Sequence, residues 1–141
     1  TDEAKDPLTK EKIEKERWEW LVKGAERGSM DAQLNVGNHY FNGIPPVKKE
    51  EEKAIPYYLS AAQQGSGGAK YNLGLCYLNG TGVIRSVSTG LDWLEKAAKE
   101  NNDADAMYSL ALFYLSLHLD SQKKRKRKKR RREGRRRERR K

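Results

Sequence analysis

Small and apolar residues fall into six stretches of this chain, each bounded by glycines or short polar segments, and each reads as a helix. The first has Asp6 as a capping side chain and Pro7 at its opening turn, and runs to about residue 27, with Ile13, Trp20, Leu21 and Ala25 as its apolar stripe. Gly28 closes it, and Ser29 or Asp31 can cap a second helix over about 31–41. The third is expected to begin near Ala54, because a proline inside a helix costs about 3 kcal/mol and Pro56 is then held within the first turn. A fourth, apolar on most sides, covers about 69–78, a fifth about 91–100, and a sixth about 104–117.

These stretches repeat. Ala32, Ala69 and Ala106 are spaced by one step, and Gly28 with Gly65, Asn35 with Asn72, Gly37 with Gly74 and Gly43 with Gly80 keep the same register. Tyr40, Tyr77 and Tyr114 share a position, as do Val36, Leu73 and Leu110. Trp20, Tyr57 and Trp93 are equivalent on the other helix, each followed by Ala25, Ala62 or Ala98; the turn at Asn101 and Asn102 absorbs one extra residue. A period of about 20 to 50 residues signals a solenoid. Gly37 and Gly74 lie inside helices, where glycine costs about 1 kcal/mol relative to alanine. Such glycines are expected where two helices approach closely, with Ala111 in the equivalent place of the last unit.

The stretches Trp93-Leu-Glu-Lys-Ala-Ala98, Ala61-Ala-Gln-Gln-Gly65 and Ala69-Lys-Tyr-Asn-Leu-Gly-Leu-Cys-Tyr-Leu-Asn-Gly-Thr-Gly-Val83 resemble Sel-1-like repeats, helix-pair relatives of tetratricopeptide repeats. The resemblance covers roughly 18–114 and implies an all-α solenoid of about three antiparallel helix pairs, acting as an adaptor or assembly scaffold without enzymatic activity. Departures are Gly24 for the first alanine of the pair, Pro45-Pro46 for the Gly-Val of the loop, and Leu117 where a closing glycine belongs.

Charge divides the chain. The whole carries a net +10, yet 123–141 holds 16 Lys/Arg against Glu133 and Glu138, a net of +14, which leaves the body at −4. Two domains are therefore expected: repeats over 1–119 and a disordered, low-complexity basic tail over 120–141. Lys123, Lys124, Arg125, Lys126, Arg127, Lys128, Lys129, Arg130, Arg131 and Arg132 suit a polyanion such as nucleic acid or an acidic protein, or a nuclear-import signal. They equally suit a solvated tail without function. No aromatic residue interrupts the run, so it offers no stacking platform for bases.

One cysteine, Cys76, excludes an internal disulfide framework and fits a reducing compartment, cytoplasmic or nuclear. No stretch is long and apolar enough to span a bilayer; the chain opens on Thr1, which leaves room for a preceding leader or further repeats. His39 and His118 lack the spacing of a metal site or catalytic base, and His39 shares its repeat position with Cys76 and Phe113, so packing is expected there. Trp18, Trp20 and Trp93 are expected in the core. Gly80-x-Gly82 follows a helix and lacks the lysine of a phosphate loop. No catalytic residue, metal or cofactor is expected. The sixth helix is apolar on nearly every side where the array stops, so Leu112 and Leu115 are expected to meet a protein partner, a second copy of the chain, or further repeats outside this sequence.

Overall fold

The computed structural model describes residues 6–141; residues 1–5, the start of the expected repeat domain, lie outside them. Among the described residues every regular element is a helix: α1 Pro7–Glu26, α2 Met30–Asn42, α3 Glu51–Gln63, α4 Gly67–Asn79, α5 Val87–Glu100 and α6 Ala104–Arg139. The architecture is the all-α helical repeat that the register predicts. Asp6, Ser29, Ser66, Ser86 and Asp103 each accept a hydrogen bond from the backbone N–H three residues on, satisfying one of the free amides that open a helix. At the other ends, Gly43 and Gly80, one repeat apart, close α2 and α4 in left-handed backbone at φ 66° and 69°, a conformation that costs a side chain dearly.

Two compact units divide the chain after Met107. In the first, a core of Ala54, Tyr58, Ala61, Ala62, Ala69 and Leu73 joins α3 to α4, and Ala25, Ala32 and Val36 join α1 to α2. The alanines matter because helices carrying them pack backbone to backbone, and the few large buried side chains, Tyr58, Leu73 and Leu94, fill what remains. A Cβ on Gly37 would lie 2.6 Å from Tyr58 Cε1, and one on Gly74 would lie 2.6 Å from Leu94 Cγ. Tyr58 and Leu94 are themselves repeat equivalents, so one contact is built twice.

Three elements depart from expectation. α3 begins at Glu51 rather than near Ala54, leaving Pro56 in its interior. The turn ahead of it is anchored by Glu50 N–H donating to Tyr40 O at 2.8 Å, and Lys53 N–H donates to Glu50 O at 3.0 Å, so a first turn forms ahead of the buried Ala54. α5 begins at Val87, with Ser86 as its cap, so Gly90 is a helix residue; a Cβ there would lie 2.9 Å from Gly74 O. α6 does not stop near Leu117 and the basic segment is not irregular: the helix continues to Arg139, since Lys and Arg are good helix formers and no glycine intervenes until Gly134. The second unit, Tyr108–Lys141, is α6 from Tyr108 onward together with Arg140 and Lys141, and the boundary at 119/120 expected from composition lies inside it.

Candidate functional site

Polar side chains stitch one repeat to the next. Buried Gln33 donates through Nε2 to Ala25 O at 3.2 Å and accepts through Oε1 from Gln64 Nε2 at 2.7 Å. One repeat on, Lys70 is only 5% exposed; its ammonium meets the Glu100 carboxylate and donates to Asn101 Oδ1 at 2.8 Å, while Asn101 Nδ2 donates to Gly65 O. The lysine beside it holds the Glu100 carboxyl below the ordinary carboxylate range. A second network joins three successive helices: Asn38 Oδ1 accepts from Tyr58 Oη at 2.9 Å and from Asn72 Nδ2 at 3.2 Å. Sequence reasoning missed these groups. The available signal was that positions 33 and 70, equivalent in register and next to buried alanines, are both polar.

The positions expected to be inert are packed. His39 is buried, with Nδ1 2.8 Å from Asn35 O and its ring 5.2 Å from that of Trp18. Cys76 is buried, and burial foremost, then the charge of Glu51, pushes its thiol up to about 11. At neutral pH it is a thiol rather than the nucleophilic thiolate. No group of three or more metal-ligating side chains forms among the described residues, and no described helix is long and apolar enough to cross a membrane.

The tryptophans divide. Trp18 packs on the Ala25, Ala32 and Val36 cluster and Trp93 on the larger core, but Trp20 is 72% exposed, against expectation. Its equivalent Tyr57 is covered by Tyr40, their rings stacked 6.0 Å apart. Trp20 has no such ring over it and carries instead the Lys23 ammonium 4.8 Å from its centroid, as Trp93 carries Lys96 at the same distance. Ile13, placed in the buried stripe by pattern, is also exposed.

Repeat equivalence gives α6 its meaning. α2 is covered by α3 and α4 by α5, and the covering contacts come from fixed positions. Gly37 meets Tyr58 and Gly74 meets Leu94; Asn38 bonds Tyr58; Phe41 packs at 6.1 Å from the Tyr58 ring, and Leu78 lies where a Cβ on Gly90 would come within 2.8 Å. In α6 those positions hold Ala111, Leu112 and Leu115. All three are exposed, Leu112 at 48% and Leu115 at 53%. Tyr108 and Leu119 extend the stripe by four residues at either end, a spacing that keeps them on one face of the helix. Past Leu119 no apolar residue follows, and Lys123 through Arg132, all exposed, sit on the same helix.

Comparison with known proteins explains the phase of the repeat. The family model for the Sel1 repeat matches residues 31–66, 68–102 and 104–124, so each unit opens with α2, α4 or α6, and the third is the shortest. A Sel1 repeat protein from Oxalobacter formigenes is 40% identical over 57% of this chain and 31% of its own, with a TM-score of 0.54. The protective antigen c5321 of uropathogenic Escherichia coli, described as displaying an SLR fold, is 30% identical over 69% of this chain and 20% of its own, with a TM-score of 0.65. Cysteine-rich protein B of Helicobacter pylori is 28% identical over 66% of this chain and 68% of its own, with a TM-score of 0.61. The chain thus spans about a third and a fifth of the first two. A comparison with curated proteins returned no match. With three matched repeats over most of its length and solved Sel1 structures among its neighbours, the chain belongs to the Sel1 repeat family.

Proposed function

We propose that this protein is a non-enzymatic adaptor that captures a protein partner on the uncovered face of α6. Proteins built from these repeats generally mediate protein–protein interaction. The observation that carries the reading is that α6 is the opening helix of a third repeat, with Ala111, Leu112 and Leu115 exposed where its two equivalents are covered by a following helix. The covering helices also give the partner's chemistry. α3 and α5 each supply one large apolar residue, Tyr58 or Leu94, with two alanines a turn later, Ala61-Ala62 or Ala97-Ala98. An amphipathic helix of that pattern laid in a groove is a recurring mode of protein recognition.

The test is capture by the full chain beside its Leu112→Gln, Leu115→Gln double variant. The double variant is expected to lose the partner, or self-association if the partner is a second copy, while helix content and melting of the first unit stay as in the parent. Full capture by the double variant, or a parent that is a monodisperse monomer with no affinity for apolar-surface dyes, overturns the reading.

A further inference from the structure

We infer that the basic end of α6 is a docking surface for double-stranded DNA, bound through its phosphates along one face of the helix. This is independent of the adaptor reading, which uses the apolar residues before Leu119. The first observation is a cluster: Arg132, Arg135, Arg136 and Arg139 line a single hollow on the surface of the helix. Their spacing of three, one and three residues puts them on one face, since successive residues turn by about 100°. Arg125, Lys128 and Lys129 fall on the same face by the same rotation, within about 60° of Arg132 on either side. The only acidic residues of the segment, Glu133 and Glu138, fall about 100° and 120° away from Arg132 on opposite sides, off that face. Seven cations therefore line one side of a helix with no carboxylate among them.

Dimensions and chemistry choose the ligand. From Arg125 to Arg139 the helix extends roughly 21 Å at about 1.5 Å per residue. Duplex DNA presents about one phosphate charge per 1.7 Å of axis, so the face meets an anionic lattice along its whole length. The two edges of that same face, Arg135 and Lys128 on one side and Arg136 and Lys129 on the other, can reach the two phosphate rims of the B-form major groove, about 12 Å wide against a helix about 10 to 12 Å across; the major groove of an A-form RNA duplex is too narrow. Guanidinium forks match phosphate oxygens in pairs. A membrane surface fits less well, because insertion needs an apolar face and no apolar residue follows Leu119. Single strands fit less well, because no aromatic side chain lies among residues 123–141 to stack on bases.

The experiment is fluorescence anisotropy of the full chain with a labelled 24-base-pair DNA duplex over a salt series. With about seven phosphates neutralised, the log–log slope is expected near −6, a loss of roughly 10³- to 10⁴-fold in affinity between 50 and 200 mM salt. The full chain carrying Arg132→Gln, Arg135→Gln, Arg136→Gln and Arg139→Gln keeps good helix formers throughout, which circular dichroism checks. Its slope is expected to fall by more than half. A parental slope shallower than about −2, an unchanged slope in the quadruple variant, or equal affinity for the single strand overturns the inference. So does effective competition by vesicles one-third anionic in lipid.

Discussion

At the scale of single residues, the repeat is held by positions where a side chain must be absent or small. Gly74 leaves no room for even a methyl group beside Leu94, and Ala62 is 3% exposed within the larger core. Replacing either with leucine forces neighbours off their rotamers, a cost of about 1 to 3 kcal/mol in a packed interior. We expect Gly74→Leu and Ala62→Leu each to lower unfolding stability by that amount in denaturant titration. Gly74→Leu should stand at the upper end, because the atoms opposed to it include Gly90 O, a backbone atom that cannot rotate away. Parental stability in both variants would show that the helix register is wrong. These positions were legible in the sequence, since a glycine inside a helix makes sense only as a site of close approach. The polar stitches were not, because hydrogen bonding by Gln33 and Lys70 depends on which side chains the fold brings opposite them.

At the scale of elements, α3 keeps a proline in its interior because tertiary contacts set where the helix begins. Pro56 has no N–H to donate to Glu52 O, and it is exposed, so nothing in the core requires its ring. Pro56→Ala should therefore stabilise the first unit by about 1 to 3 kcal/mol, measured as a raised midpoint in thermal or denaturant unfolding. A lowered midpoint would mean that the proline instead defines the path of the chain into α3. α6 makes the opposite point. Its apolar half and its basic half have different partners in prospect but one backbone, and the good helix propensity of Lys and Arg carries the helix through the change of composition.

At the scale of the whole molecule, charge and packing divide it in the same sense: the net +14 lies entirely on residues 123–141, and the buried core lies before Met107. Removing 123–141 should leave the stability of the first unit within about 0.5 kcal/mol of the parent, because it removes only exposed side chains. A loss of more than about 1 kcal/mol would reveal contacts that stabilise the core. The sequence by itself determined the helical class, the repeat and its period, the close-approach glycines and the division of charge, because each is a periodic or additive property of residues in order. The tertiary structure alone decided burial within the register. Trp20, Tyr57 and Trp93 are one position by sequence, yet Tyr57 and Trp93 are half-buried and Trp20 faces water, since burial belongs to the neighbour as much as to the residue. The same cause bears on α6: its pattern is that of a covered helix, the sequence already marked Leu112 and Leu115 as wanting a cover, and the fold gives the degree to which they are exposed, 48% and 53%.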